Sequence, residues 1–238
     1  MEPAVSQNVV LDLAGTDSPT EILYVGAHHD TQADSPGADD NASAVAGVLE
    51  LARLLHPRRR RRTIRLVSFG AEEQLSVGAA AYVRRHREEV TQSGRCMYNF
   101  DSFGSHLGWL QLYVNAHDDL EASIRPYLRA ADVPYERVTG VTPYADHFPF
   151  VAAGLPGILH YRVNCTSGRF FHHRPDDDLT RVSAPVMARD LSAVAAWLDA
   201  MATADALPFG AAVPETLREE VAACWNDLFG AWDPPAPT

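Results

Sequence analysis

The run Ile22 to Val25, four branched or aromatic residues followed by Gly26 and Ala27, constrains the fold more than any other stretch. Such an unbroken apolar segment reads as a strand buried on both faces. A chain feeding several strands of this kind into helical segments forms an α/β sheet. The strand would deliver His28, His29 and Asp30 to its carboxyl end, where chemistry in open α/β sheets collects. The segment from His28 to Asn41 is therefore the first place to look for a site. Neutral imidazole and ionised carboxylate are ligands that a borderline cation such as zinc accepts, which makes His28 and Asp40 a candidate pair.

The pattern continues along the chain. Asn8 to Leu13 reads as a short strand and Gly15 to Pro19 as a turn, together predicting a hairpin with the Ile22 strand. Val45, Val48, Leu49, Ala52 and Leu55 recur at helical spacing, with Asn41 or Ser43 at the start and Pro57 past the end. Arg58 to Arg62 is read as a solvated linker, and Thr63 to Phe69 as a strand ending at Glu72 and Glu73. Helix is predicted from Ser76 to Val90, and a strand from Met97 to Asp101. Leu110 to Val114 follows as a strand and Leu120 to Ala131 as a helix, with Asp118 or Asp119 as its cap. Pro134 to Pro149 reads as irregular, Gly157 to Tyr161 as a buried strand, and Asn164 to Phe171 as a loop leading to His172 and His173. Ser183 with Pro185 starts a helix to about Met201. A last helix spans Pro214 to Phe229, before a frayed tail from Pro234. The prediction is a mixed, mostly parallel central sheet with helices on both faces, in three layers. Residues 1–238 are expected to form one catalytic domain, with 202–238 as a C-terminal helical extension.

Composition excludes several classes. A net charge of −11 disfavours nucleic acid and anionic membrane as partners. No run approaches the ~18 apolar residues of a membrane span. The first 20 residues lack a basic start with an apolar core, so a cytoplasmic location is expected, or a secreted one if a longer chain precedes residue 1. Cys96, Cys165 and Cys224 are too scattered for a disulfide framework or a zinc knuckle and read as reduced thiols. Neither Asp30 nor Asp34 begins an EF-hand pattern, and no Gly-x-Ser-x-Gly occurs. Nothing in the sequence specifies an oligomeric state.

Acidic or imidazole groups stand after successive strands: His28 with Asp40, Glu72 with Glu73, Asp101, and the loop pair His172 and His173. One carboxylate shared by two cations, with a neighbouring glutamate reaching the attacking water, is a two-metal hydrolytic arrangement.

In these residues the chain resembles the M28 family of zinc aminopeptidases. The likeness covers about Asn8 to Met201 and runs in family order through Gly26 to Asp30, Pro36 to Ser43, Phe69 to Gln74, Asn99 to Gly104, Asp146 to Phe150 and His173 to Asp177. The resemblance implies a zinc-dependent exopeptidase fold and two Zn2+ ions. His28 and Asp101 would hold one, Glu73 and His173 the other, and Asp40 would bridge them. Glu72 becomes the general base of a zinc-activated water attack that removes N-terminal amino acids from peptides or cleaves a related small aminoacyl amide. Asp30 and Asp177 would orient the ligand histidines from behind. The family also implies a cis peptide after Asp40. His29 falls at a variable position and reads as structural. His172 stands where relatives often carry a tyrosine, so its ring is a candidate to stabilise the tetrahedral intermediate. Asp146, His147 and Phe148 belong to a substrate-side loop, and Phe103, Phe148, Phe170 and Phe171 are candidate pocket walls. The chain departs from the family at Leu75, where glycine is usual, and at Arg174, where threonine is common. Two other readings share the scaffold: a glutaminyl cyclase-like enzyme using one zinc for intramolecular aminoacyl transfer, and a non-catalytic binding domain.

Overall fold

A computed structural model describes residues 5–163 and 170–233. The expected loop from Asn164, the thiol Cys165 and the tail from Pro234 lie outside the described residues, apart from Phe170 and Phe171.

The strands are β1 Val9–Leu13, β2 Ser18–His28, β3 Arg62–Phe69, β4 Gly94–Asp101, β5 Trp109–Asn115, β6 Tyr135–Val138 and β7 Gly157–Val163. The helices are α1 Ala44–Leu55, α2 Val77–Arg85, α3 Arg87–Ser93, α4 Asp118–Ala130, α5 Phe148–Ala152, α6 Ala184–Thr203 and α7 Glu215–Phe229. One seven-stranded sheet runs in the order β1-β3-β2-β4-β7-β5-β6. β2 pairs in parallel with β3 and β4, β4 with β7, and β5 with β6, while β1–β3 and β5–β7 are antiparallel. This is the mixed, mostly parallel α/β sheet that the sequence pattern predicts.

Strand pleat sorts the core onto two faces. Leu23, Val25 and Ala27 of β2 point into one cluster with Leu51 and Leu55 of α1, Ile124 of α4 and Trp197 of α6. Ile22 and Tyr24 point the other way, against Tyr82 and Val83 of α2, Val90 of α3 and Phe150 of α5. α7 closes a third cluster, in which Val221, Trp225 and Phe229 pack on Phe148 and Val151. Among the described residues no helix is long and apolar enough to cross a membrane.

The expected hairpin is wrong. Both edges of β2 are taken by β3 and β4, so β1 crosses over and pairs with β3 in the register Val9↔Ser68 to Leu13↔Ile64. The linker reading of the arginines is corrected too: Arg60 is 9% and Arg62 4% exposed. The Arg62 guanidinium meets Glu21 Oε2 at 2.5 Å and donates to the Met201 and Ala204 carbonyls at 3.1 and 2.6 Å, at the end of α6. The stretch read as irregular, Pro134 to Pro149, contains β6 and the start of α5. β6 has only one hydrogen-bonded neighbour and carries Glu136 and Arg137, so it shows no apolar alternation. The predicted Ser76 to Val90 helix breaks at His86, where φ and ψ are −111° and 23°. α4 begins at Asp118 with His117 before it, so neither aspartate caps it through its side chain; both act as acidic residues of the first turn. The Ser183 cap is present, its Oγ accepting from the Val186 N–H at 3.4 Å.

Candidate metal centre

Five chain segments deliver the site, each at or beyond the carboxyl end of a parallel strand. His28 is the last residue of β2, opposite Phe69 of β3, and Asp101 is the last residue of β4. Glu72 and Glu73 follow β3, and His172 and His173 lie in the turn beyond β7. The chain leaves β2 for β3 on one side and later returns to β4 on the other, which opens a crevice at the strand ends. Asp40 enters from the turn Ala38–Ser43, and its bond to Asn41 is cis, as the family resemblance implies.

The side chains converge. His28 Nε2 lies 3.3 Å from Asp40 Oδ1, 3.7 Å from Glu72 Oε2 and 3.9 Å from Asp101 Oδ1. On the other side of Asp40, its Oδ2 lies 3.3 Å from His173 Nε2 and 2.9 Å from His172 Nδ1. His173 Nε2 is in turn 2.9 Å from Glu73 Oε2. Asp40 thus stands between two groups of donors, and the ligand atoms within each of the triads His28–Asp40–Asp101 and Asp40–His172–His173 all lie within 4.8 Å of one another.

Burial makes this cluster electrostatically costly without a cation. Burial pushes the Glu72 carboxyl well above its usual value, and the charges of Asp146 and Asp101 add to that against the pull of His28. Glu73 is raised by burial and by Asp40. At His28 burial acts to lower the pKa, but the carboxylates of Asp101, Asp30 and Asp40 outweigh it and hold the ring well above its ordinary value. His28 is 1% exposed, and its Nε2 makes no hydrogen bond within the described structure. A buried imidazole nitrogen aimed at three carboxylates fits a divalent cation: the ion would supply the missing partner and offset the like charges. Imidazole and carboxylate donors are also the set zinc takes.

Behind these groups, hydrogen bonds fix the loops. Asp30 accepts from the N–H groups of both Glu72 and Glu73, at 3.0 and 3.2 Å, so its carboxylate braces the loop after β3. It is also 3.6 Å from His28 Nδ1, which sits 3.0 Å from the Asp30 carbonyl oxygen. Asp177 is fully buried and accepts from the N–H groups of Asp39 and Asp40 at 2.9 and 3.0 Å. Its carboxylate braces Asp40 instead of the expected partner His173. Sequence reasoning missed four further supports. Gln32 donates through its backbone and side chain to both Glu73 oxygens at 3.0 Å. Ser76 Oγ donates to Glu72 Oε1 at 3.0 Å, and Ser102 Oγ to Asp101 Oδ1 at 2.8 Å. Asn41 accepts from the Ser102 N–H and donates to the Phe100 carbonyl. Each lies within or next to a quoted motif, which is the signal that could have found it.

The other candidates divide. Asp146 is fully buried, and burial with the charges of Asp101 and Asp30 raises its carboxyl to about 8 against the pull of His28. His147 is lowered to about 3 by burial and keeps a neutral ring, with Nε2 at 3.1 Å from Asn115 Oδ1. Phe148 is wholly buried against Trp225 and Phe229, inside the core and not on a pocket wall. Phe103 and Phe171 are likewise buried, and Phe170 alone of the four is exposed. His29 is exposed, its Nδ1 3.0 Å from Ser68 Oγ, in keeping with a structural place.

A mixed α/β sheet with a buried imidazole–carboxylate cluster at its strand ends offers a donor set that could hold a divalent cation. The chain belongs to peptidase family M28, whose model matches residues 8–198. It is 27% identical over 219 residues to aminopeptidase YwaD of Bacillus subtilis, covering 88% of this chain and 46% of that protein. Its identity to leupeptin-inactivating enzyme 1 of Streptomyces exfoliatus is 30% over 217 residues, covering 81% of this chain and 48% of the relative. The chain therefore spans about half the length of these curated relatives. Among solved structures it superposes on an aminopeptidase from Aneurinibacillus sp. strain AM-1 with a TM-score of 0.70 and 27% identity, over 84% of this chain and 49% of that one. A glutaminyl cyclase of Porphyromonas gingivalis shares the fold, with a TM-score of 0.67 and 20% identity over 81% of this chain and 75% of that one.

Proposed function

We propose that this protein is a zinc-dependent exopeptidase that hydrolyses the amide bond after an N-terminal residue, or a closely related aminoacyl amide. The observation that carries the reading is the orphaned Nε2 of buried His28, facing Asp40, Glu72 and Asp101 together. His28 and Asp101 would hold one cation and Glu73 and His173 a second, with Asp40 standing between the two groups. When bound, the ions acidify the attacking water and polarise the scissile carbonyl.

The remaining work falls to the chain. Glu72 lies beside the cluster without needing to be a ligand, and a carboxylate within reach of the attacking water can take its proton and return it. It accepts the proton of the attacking water and delivers it to the departing amine. Ser76 holds one Glu72 oxygen, leaving Oε2, the atom nearer His28, for that transfer. Asp30 and Asp177 keep the two loops fixed, so the proton acceptor and the shared carboxylate stay in register. Peptides and small aminoacyl amides are the substrates this arrangement serves.

The test combines metal analysis with a substrate panel. Zinc per chain is measured, and amides with free and with blocked amino groups are assayed before and after chelation. Free-amino substrates should turn over only in the zinc form. Glu72→Gln should retain zinc while turnover falls by roughly 10²- to 10⁴-fold, the usual contribution of a positioned acid–base group. Unchanged turnover in that variant would remove Glu72 from the role.

A further inference from the structure

His172 and His173 leave one turn with their rings side by side, centroids 3.4 Å apart and tilted by 31°. In an extended chain neighbouring side chains point to opposite sides. Here His173 holds a φ of 56°, and both rings address the same oxygen, Asp40 Oδ2. The geometry points to His172 as a metal ligand: we propose that His172 Nδ1 and His173 Nε2 bind one cation together with Asp40 and Glu73. This rests on the two-cation reading above and adds a donor to it.

Distances support the assignment. Two donors bonded to zinc at about 2.0–2.1 Å with a tetrahedral angle between them stand about 3.3 Å apart. The separations are 2.9 Å for His172 to Asp40, 3.3 Å for His173 to Asp40 and 2.9 Å for His173 to Glu73. Either imidazole nitrogen can be the ligand, so presentation of Nδ1 is no obstacle.

The consequence is an asymmetric centre. The His172 side has two imidazoles and two carboxylates, a full tetrahedral set, which is how zinc is held at closed sites. Among the described residues the His28 side offers His28, Asp40 and Asp101, one donor fewer, and so would keep a position for substrate or water. Glu72 lies on this open side, with Oε2 3.7 Å from His28 Nε2, where a proton acceptor is needed. The imidazole-rich side also suits a borderline cation better and fills first. A cation held there would fix Asp40, leaving the His28 side, where Glu72 lies, for the reaction.

A hydrogen bond from His172 to Asp40, or a role in steadying the reacting carbonyl, would account for the position of the ring without metal ligation. Cobalt separates these roles. Metal-free protein is titrated with Co2+ while the visible ligand-field absorption is followed, for wild type, His172→Ala and His172→Asn. The wild type should take up two equivalents, the first giving the intense bands of four-coordinate cobalt. His172→Ala should weaken the tighter site by about tenfold or more, since even groups behind a ligand contribute that much. Its ligand-field bands should fall in intensity. His172→Asn keeps an N–H able to reach Asp40 but is a poor ligand, and it should behave like the alanine variant. Two equivalents bound with affinities unchanged in His172→Ala, or affinity restored by asparagine, would overturn the role of His172 alone. A wild type that binds a single equivalent would overturn the two-cation reading and this inference with it.

Discussion

Leu75 occupies a backbone conformation made for another residue. Its φ is 64°, in the left-handed region, and its side chain is 45% exposed. The family resemblance implies glycine at this position, and the positive φ would account for that. A residue with a Cβ loses about 1–2 kcal/mol in that region, whereas glycine enters it freely at an entropic cost of about 0.5–1 kcal/mol. Leu75→Gly and Leu75→Ala both remove the exposed side chain, so the difference between them isolates the backbone. The glycine variant should be the more stable by up to about 1 kcal/mol in urea unfolding. An alanine variant of equal or greater stability would show that the turn relaxes around any residue. Other residue-scale features were legible to different degrees. His28, Asp40, Glu73, Asp101 and His173 meet as the motifs imply, because each lies at a strand end or in a turn abutting one. The partner of Asp177 was not legible: the path of the Ala38–Ser43 turn brings the Asp39 and Asp40 N–H groups to its carboxylate, and a short motif does not record that path.

At the scale of elements, hydrophobic period located strands β2, β3, β4, β5 and β7 and helices α1, α4, α6 and α7 to within a few residues. It failed where the determinant was non-local. β1 joins β3 because β2 has no free edge, and β6 exists through its ladder with β5. The arginine run shows the same limit. Composition alone cannot separate Arg58, which pairs with half-buried Asp199 at 2.9 Å, from Arg62, which is buried under the last turn of α6. Cation and carbonyls there complement each other, as expected at a helix C-terminus. Arg62→Ala should leave buried carbonyls and Glu21 with one partner fewer, destabilising the fold by about 2–3 kcal/mol. Arg59→Ala, at an exposed position of the same run, should stay within about 0.5 kcal/mol of wild type. Equal denaturation midpoints for the two variants would mean that the Arg62 contacts add nothing.

At the scale of the molecule, a core that packs both sheet faces holds a crevice whose charges oppose one another. Glu72 and Glu73 are raised by burial and by neighbouring carboxylates, so the metal-free fold carries a destabilised patch that cation binding would relieve. Binding to the native state alone contributes RT ln(1 + [L]/Kd), about 2.7 kcal/mol at a free ion concentration near 100 times Kd. For a domain of this size that corresponds to a rise in Tm of roughly 5–10 °C. Scanning calorimetry of the metal-free protein with stepwise zinc should show the rise, and chelation should reverse it. Asp40→Asn removes one charge from the patch as well as the carboxylate shared by both donor groups. Its metal-free form should therefore match or exceed wild type in Tm, yet gain little from zinc, the trade expected where a site is built at the expense of stability. If Asp40→Asn kept the full zinc-dependent rise, the ions would be binding elsewhere and the centre described here would not be their site.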